Sequence, residues 1–317
     1  MRGFSRLLAS ILLLCPTFAG AKPFPDGRPV EMTVMFGAGS AADVTARYLA
    51  DGMGRELGAS IPVVNRTGGG GAAGYTYVAN QPPDGYAVVW NSNSIVTNYY
   101  SGALPFNHAA FSPVARVGVE TPAIAVRADA PWKTFKELVA HIQSGGSPIR
   151  VSNSGTGSHT HLAAAILFKV VGANVIHVPF SGGQAVTNLL GARIDATIQL
   201  PASLTPHVSA GSLRILAVLG AERDPVFPKA PTVQELGYPV DLEMWRGIAV
   251  PKGTPPEIVR RLEDAIKRTV EGPSFQEAGR KLGFRPAFLP AREFEALINR
   301  DDAQLGGLMR ELGLAKR

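Results

Sequence analysis

The sequence is poor in cysteine and in long apolar runs. One of its 317 residues is a cysteine, Cys15, and the preceding Leu14 is larger than the small residue that lipoprotein processing favours. No stretch reaches the ~18 uninterrupted apolar residues of a membrane helix. We therefore expect no lipid anchor, no membrane-spanning helix, no disulfide framework and no thiol chemistry in the mature chain.

Charged residues are also scarce, at 18% of the chain against roughly 25% in an average protein. The net charge of +6 comes from scattered lysines and arginines, without a basic block interleaved with aromatic residues. This pattern excludes a nucleic-acid groove. The hydrophobic fraction of 45% is that of a folded chain, and a length of 317 residues favours two lobes.

The N-terminus has the features of an export signal. Arg2 and Arg6 precede a short apolar stretch, residues 7–14, and Ala19-Gly20-Ala21 fits the small-residue cleavage pattern. This predicts a signal peptide over residues 1–21, cleaved after Ala21, and a periplasmic mature protein. Loss of the two arginines lowers the net charge from +6 to +4.

Short strand-like runs alternate with segments of helical periodicity. Ser or Thr followed three residues later by Asp or Glu, at Ser40, Thr134, Thr232 and Thr254, predicts helix N-termini. This alternation predicts an α/β fold with mainly parallel sheets covered by helices. The strand-like runs cover residues 30–36, 61–64, 86–90, 124–126, 149–151, 175–178, 196–198, 213–218 and 248–250.

Four glycine-rich loops follow predicted strands and precede predicted helices. They cover residues 37–43, 68–74, 152–161 and 180–185, and combine glycine with hydroxyl or amide residues. Glycine lets a backbone approach a ligand closely, and a helix N-terminus favours negative charge, so each loop is a candidate anion site. The alternative for any one of them is an ordinary turn between strand and helix.

Three enzyme-like interpretations find little support. Gly69-x-Gly71-x-x-Gly74 matches the dinucleotide fingerprint, but no strand ending in an acidic residue follows at the required distance. His159 and His161 are two apart and point in different directions on a helix, unlike a zinc pair. A G-x-S-x-G nucleophile elbow is absent. We expect no cofactor, no metal and no catalytic residue, with an exported hydrolase as the remaining enzymatic alternative.

Seven segments occur in an order that resembles a known family: FPDGRPVEMTVMFGAGSAADVTAR, VVNRTGGGGAAG, PPDGY, VSNSGTGSHTHLAAAIL, HVPFSGGQAVTNLLGARIDA, GSLRILAV and PTVQELGYP. Together they resemble the Bug (TctC-type) family of extracytoplasmic solute receptors of tripartite tricarboxylate transporters, from about Phe24 to the C-terminus. The resemblance implies a two-lobed Venus-flytrap fold of the periplasmic-binding type II kind. It also implies a small carboxylate ligand in the cleft and transporter membrane subunits as partners.

The resemblance, together with possible crossings at residues 120–122 and 224–245, predicts one lobe from residues 22–121 plus 246–317 and another from residues 122–245. It implies that the helical tail after Pro256 packs on the first lobe. A sensory receptor with the same lobes remains an alternative to a transport receptor.

Matching the family motifs residue by residue predicts ligand-binding positions in four segments. Within the first, we expect Asp43 to brace its loop rather than to meet an anion. Ser40 and Ala42 depart from the family pattern, so no particular ligand is transferred. A bulky residue at Gly155 or Gly182 is expected to abolish binding. The predicted positions are Phe36, Gly37, Gly39, Ser40, Ala41 and Asp43; Asn91, Ser92 and Asn93; Ser154, Gly155, Thr156, Gly157 and His161; and Phe180, Ser181, Gly182, Gln184 and Ala185.

Overall fold

The computed structural model describes residues 23–145, 147–181 and 183–317. The predicted signal peptide and its cleavage site lie outside these residues, as does Gly182. Among the helices described, none is both long enough and apolar enough to cross a membrane.

Strands and helices alternate along most of the described chain. The strands are β1 (Glu31–Val34), β2 (Val63–Asn65), β3 (Ala87–Ser92), β4 (Phe111–Glu120), β5 (Ala123–Arg127), β6 (Arg150–Asn153), β7 (Ile176–Pro179), β8 (Ala196–Gln199), β9 (Leu213–Val218), β10 (Met244–Pro251) and β11 (Arg285–Pro290). The α-helices are α1 (Ala41–Leu57), α2 (Ala72–Ala79), α3 (Ser94–Tyr100), α4 (Phe135–Gln143), α5 (His159–Val170), α6 (Gln184–Leu190), α7 (Pro201–Ser209), α8 (Pro256–Glu271), α9 (Pro273–Leu282) and α10 (Ala291–Glu311).

The strands form two sheets, and each sheet is the centre of one lobe. The six-stranded sheet of the first lobe has the order β11-β4-β10-β3-β1-β2, and the five-stranded sheet of the second has the order β7-β6-β8-β5-β9. The chain leaves the first sheet after β4 and returns to it with β10. This is the predicted two-lobed α/β architecture.

The prediction of mainly parallel sheets is wrong. β1 to β3 and β6 to β8 pair in parallel, as expected for strands joined through helices. The remaining pairs, which involve β4, β5, β9, β10 and β11, are antiparallel. Both sheets are therefore mixed, because β10 and β11 are antiparallel to their neighbours in the first sheet and β5 is antiparallel to β8 and β9 in the second.

Two strands were not predicted from the sequence patterns. β4 is interrupted in sequence by Pro113 and Arg116, and β11 contains Pro286 and ends at Pro290. Proline cannot donate to a sheet ladder and is found mainly on edge strands, and β11 is indeed an edge strand.

The capping patterns predict two helix starts correctly. The Oγ of Ser40 accepts a hydrogen bond from the Asp43 amide at the start of α1, at 3.2 Å. The Oγ1 of Thr134 does the same for α4 with the amide of Glu137. A free backbone donor is satisfied in both cases, so the local sequence specifies where these helices begin.

The other two capping patterns are wrong in detail. Thr232 and Glu235 exchange the expected hydrogen bonds, but they form only a turn. Gly237 follows with a φ of +95°, a left-handed conformation that ends a helical path. In the fourth pattern, Thr254 does not cap the helix: α8 begins at Pro256, and the Thr254 hydroxyl donates to the carbonyl of Pro251.

The C-terminal helices pack on the first lobe, the arrangement implied by the family resemblance. Helix α8 lies against α1, where Arg268 pairs with Glu56 and a Cβ at Gly52 would overlap Thr269. Helix α10 covers α3 and β4. Helices α8 and α10 thus pack against the same sheet as α1, α2 and α3.

Candidate ligand site

A small cavity lies where the two lobes meet at the carboxyl ends of parallel strands, the usual ligand position in α/β sheets. We call it the inner cavity; its volume is about 10 Å³. Helices α1 and α5 both begin at its wall. Its lining residues are Phe36, Ser40, Ala41, Ala42, Ser94, Ser154, Ser158, His159, Thr160, Gln199, Leu200, Met244 and Arg246.

A second, larger cavity adjoins the first, with which it shares Phe36 and Ser154. We call it the outer cavity; its volume is about 260 Å³. Glycines 68–71 of the first lobe line it opposite residues 154–156 and 179–181 of the second. Phe36, Phe180, Pro179 and Met35 give it several apolar walls.

The loop between β1 and α1 is braced by the Asp43 carboxylate. That carboxylate accepts hydrogen bonds from the Gly39 amide at 3.0 Å, from Arg47 at 2.9 Å and from the Asn65 side chain at 2.9 Å. Burial alone would raise the pKa of Asp43, but the bonds from Arg47, Asn65 and Gly39 outweigh it and lower the pKa. The carboxylate therefore stays ionised and fixes the loop in front of α1.

Asp43→Asn is expected to lower the free energy of unfolding at pH 7 by about 1.5 kcal/mol, because charge-assisted hydrogen bonds are lost. The folded pKa lies below the unfolded one, so this stabilisation is present above about pH 4 and disappears as the pH falls through the folded pKa. Urea unfolding at several pH values measures it. Asp51→Asn, at an exposed ion pair on the same helix, is the control and should change little. Equal losses in both variants would contradict the bracing role.

Hydroxyl groups line the inner cavity as hydrogen-bond donors. Ser40 Oγ accepts from the Asp43 amide, Ser94 Oγ from the His159 amide and Ser158 Oγ from the His161 amide, each at 3.2 Å. Thr160 Oγ1 accepts from the Ser154 amide at 2.9 Å. A hydroxyl whose oxygen already accepts a backbone proton still has its own proton to donate, and the bond between Ser158 Oγ and Thr160 Oγ1, at 3.2 Å, uses only one of their two protons. The cavity is consequently rich in donors.

Glycines 155 and 157 allow the second-lobe loop to approach the first lobe closely. Both have positive φ, +112° and +86°. A Cβ on Gly155 would lie 3.3 Å from the backbone of Gly70, and one on Gly157 would lie 3.0 Å from Asn98 Oδ1. Thr97 donates a hydrogen bond to the carbonyl of Gly157. Glycines 155 and 157 therefore lie in close contact with the first lobe next to the cavities.

The two histidines of this loop have different positions. His159 is fully buried, lines the inner cavity and has its Nε2 2.9 Å from the carbonyl oxygen of Leu242. His161, the residue predicted from sequence, lines neither cavity; its Nδ1 accepts from the Gly157 amide and its ring lies 5.4 Å from that of His177. Burial lowers the pKa of each to about 4, with His177 adding to the effect at His161. Both rings are neutral at pH 7.

Asn91, Ser92 and Asn93 lie beneath the site rather than in its wall. Asn91 Oδ1 accepts from the hydroxyl of Tyr75 at 2.9 Å, and Asn93 Nδ2 donates to the carbonyl of Glu243 at 3.2 Å. All three are buried and none lines the inner or the outer cavity. The expected wall position belongs to Ser94, one residue further on.

The remaining predicted positions divide between the cavities and their surroundings. Phe36, Ser40, Ala41, Ser154, Gly155, Thr156, Phe180 and Ser181 line one or both cavities. Gly37 and Gly39 lie in the braced loop, and Gly157 lies in the contact between lobes. Gln184 is exposed, whereas Ala185 is fully buried with its carbonyl toward Ser152 Oγ. Neither lines a cavity.

Sequence reasoning missed several residues of the inner cavity, above all Gln199 and Arg246. Each is a polar residue within a strand that is otherwise largely apolar. A lone arginine in a buried strand is the signal that could have found Arg246, because charges are rarely buried without a purpose. Within the described residues, no group of three acidic, histidine or cysteine side chains is arranged to hold a metal ion.

Residues 45–314 match the tripartite tricarboxylate transporter family receptor, TctC. BugT of Bordetella pertussis is 30% identical over 98% of each chain. The solved structure of the periplasmic binding protein BugD is 30% identical and superposes with a TM-score of 0.87 over 92% of this chain and 99% of its own.

Two further solved structures contain a ligand. A protein of R. palustris with adipate is 25% identical, with a TM-score of 0.87 over 92% of this chain and 99% of its own. MatC from Rhodopseudomonas palustris, with bound malate, is 26% identical, with a TM-score of 0.82 over 88% of this chain and 98% of its own.

The fold and the cavity between its lobes are those of a solute-binding protein. Because the family model matches most of the chain and two relatives are 30% identical to it, the chain belongs to the TctC family of tripartite tricarboxylate transporter receptors.

Proposed function

We propose that this chain is a periplasmic receptor that closes its lobes over a small carboxylate and presents it to the membrane subunits of a tripartite transporter. The observation that carries the proposal is the excess of donors around the inner cavity. Ser40 and Ser94 each retain a hydroxyl proton, as does one member of the hydrogen-bonded pair Ser158 and Thr160, and α1 and α5 begin at the cavity wall. Helix N-termini favour negative charge, so a carboxylate satisfies the arrangement.

Closure of the lobes around the ligand is supported by direct contacts between them. Ala41 N, at the start of α1, donates to Ser203 Oγ of the second lobe at 2.8 Å, and His159 N donates to Ser94 Oγ of the first. An apolar cluster of Ala41, Leu200, Ala202 and Met244 joins the lobes beside the site. Contacts of this kind form and break in hinge motions around a ligand.

We assign the first lobe to residues 22–121 and 246–317 and the second to residues 122–245. The two sheets support this division to within two residues, because the chain passes between them after β4 and before β10, whose first residues, Met244 and Trp245, already pair with β4. Export by a signal peptide cleaved after Ala21 completes the proposal and is consistent with the similarity to BugD, a periplasmic binding protein.

A binding role is favoured over hydrolysis by the partners of the histidine rings. The ring nitrogen Nε2 of His159 bonds the Leu242 carbonyl, and Nδ1 of His161 accepts from the Gly157 amide. Neither ring is hydrogen-bonded to a serine hydroxyl among the described residues, as a nucleophile and its base require. The chain's family and its solved relatives are solute-binding proteins.

Binding of a carboxylate is expected to raise the melting temperature of the mature protein saturably. A ligand at 100 times its Kd stabilises the folded state by about 2.7 kcal/mol. A thermal-shift screen followed by calorimetric titration should cover malate, adipate, citrate, glutamate and benzoate, with the amides of the same acids as controls. Shifts with the amides but not with the acids would contradict the proposal.

A transport receptor and a sensory receptor would bind the ligand in the same cleft and differ in the membrane partner that binds the closed form. A deletion strain supplied with the carboxylate found in the screen as its carbon source should lose uptake of the radiolabelled compound. Normal uptake with loss of a transcriptional response to it would instead support a sensory receptor.

A further inference from the structure

Strand β10 forms part of the floor of the inner cavity and directs alternate side chains to opposite sides of the sheet. Met244 and Arg246 line the inner cavity. Trp245 between them points the other way, where its Nε1 donates to Asp301 Oδ2 at 2.6 Å. The guanidinium of Arg246 is therefore on the ligand side of the first lobe.

Arg246 is held there by a buried ion pair with Glu120, the last residue of β4. Its Nε donates to Glu120 Oε2 at 2.7 Å, and the two side chains are 4% and 0% exposed. Burying an ion pair costs desolvation that the attraction alone often fails to repay. The pair occupies one side of the guanidinium, so Glu120 sets the direction of the other side.

The hydrogen-bonding capacity of Arg246 is only partly used. Among the residues that the structure describes, none is a hydrogen-bond partner of its buried Nη1. Gln199 of the second lobe is 4% exposed and lines the same cavity. Its Oε1 accepts from Ser154 Oγ at 3.1 Å, but its Nε2 has no partner in the described part of the chain. Buried donors are almost always satisfied, so two such donors in one cavity indicate an acceptor that joins the lobes.

We propose that Arg246, oriented by Glu120, binds a carboxylate oxygen of the ligand together with Gln199 and makes the site selective for ionised acids. This inference rests on the proposed function and specifies which end of the ligand enters first. One oxygen of the carboxylate enters the inner cavity, which has room for about one water-sized atom, and the body of the acid extends past Phe36 into the outer cavity. Arg246 contacts the ligand; Glu120 is a positioning residue.

The position of the charges explains why a fully ionised group is preferred. Glu120 balances the charge of Arg246, so the cavity has no excess formal charge from this pair before the ligand arrives. The starts of α1 and α5 then stabilise the added negative charge. A neutral amide cannot accept two charge-assisted bonds and brings donors into a cavity that already has a surplus of them.

The test compares variants of the ion pair in calorimetric titrations with malate, adipate and benzoate and with their amides. Removing Arg246 alone leaves Glu120 buried and unpaired, which endangers folding. The main variant is therefore the double substitution Arg246→Gln with Glu120→Gln, which removes both charges. We expect it to bind the acids about 30-fold more weakly, the effect of losing one charge-assisted hydrogen bond, with little change for any amide that binds. Arg116→Gln, on neighbouring β4 and outside both cavities, is the matched control and should leave affinity unchanged.

Glu120→Gln alone separates positioning from a merely structural role. A glutamine oxygen still accepts from Arg246 Nε, but the balancing negative charge is gone. Because Arg246 is then buried without a counter-charge, a melting curve first establishes that this variant is folded. The acids should then bind at least as tightly as they do to the natural chain, whereas a structural role predicts weaker binding.

The outcomes distinguish the inference from the proposed function. If the natural chain binds an acid and the double variant binds it within threefold, the role of Arg246 is overturned and the receptor function stands. If the natural chain binds none of the acids, both are overturned. Weaker binding of the acids to Glu120→Gln would overturn the positioning role of Glu120.

Discussion

Gly70→Ala is expected to weaken carboxylate binding by about 100-fold while both lobes remain folded. Gly70 has a φ of +62° and lies where the first lobe meets the second-lobe loop. A Cβ there would overlap the carbonyl oxygen of Thr156 and lie 2.6 Å from the amide nitrogen of Ser158. Since these are backbone atoms, no side chain can turn away, and the closed arrangement becomes costly. Affinity falls with the fraction of molecules that can close.

Gly58→Ala is the matched control for this substitution. Gly58 also has a left-handed φ, +65°, but a Cβ on it would meet nothing within 4 Å. Both variants should lose about 1 kcal/mol of stability through backbone strain, and only Gly70→Ala should lose affinity. Calorimetry with the carboxylate found in the screen measures binding, and small-angle scattering measures closure. Equal affinities in the two variants would contradict the proposal that the contact of Gly70 with Thr156 and Ser158 is part of closure.

Gly155, which is predicted from the sequence to be a binding position, can be tested by a similar substitution. A side chain there faces the backbone of Gly70 from the other lobe and must adopt a φ of +112°. We expect Gly155→Val to act in the same direction as Gly70→Ala. Gly182 lies outside the described residues, and its predicted role stays a prediction.

Lowering the pH from 7 to 4 is expected to remove about 3 kcal/mol of stability through His159 alone. Burial lowers the folded pKa of His159 to about 4, and Arg246 contributes in the same direction, while the bond to Leu242 opposes both. The unfolded chain takes up its proton near pH 6.5, before the folded chain does. Stability due to the neutral ring is thus complete above that pH and is lost progressively toward pH 4.

His159→Gln isolates this contribution, because glutamine can donate to the Leu242 carbonyl and does not titrate. Urea unfolding of both proteins between pH 7 and pH 4 should give curves that converge or cross as the pH falls, with the natural chain losing more. Parallel curves would show that His159 is not the group responsible.

The sequence predicted elements that depend on neighbours along the chain. The hydroxyl caps of Ser40 and Thr134 specify helix starts because their partners are three residues away. Alternating apolar runs identified most strands, but β4 was missed because Pro113 and Arg116 interrupt its pattern. The edge strand β11 was missed for a similar reason, since its pairing with β4 is provided by residues far away in sequence.

The site likewise contains some residues that could be predicted from neighbours along the chain and others that depend on tertiary packing. Loop residues such as Ser154 and Phe180 could be proposed from glycine-rich motifs and a family pattern, and they line the cavities. The choice of His161 over His159 could not be corrected from sequence, because both lie in one helical turn and only its packing decides which ring is toward the inner cavity.

The sequence by itself determined the two-lobed α/β class, the family, the positions of the glycine loops and the bracing residue type at Asp43. These features depend on local spacing and on motifs that neighbouring residues complete. Only the tertiary structure decided that β10 enters the first sheet antiparallel and brings Arg246 beside Glu120, 126 residues away, and opposite Gln199 of the other lobe. The physical reason is that strand register and lobe contact are long-range, and a side chain's role in a cleft depends on which face its strand directs there.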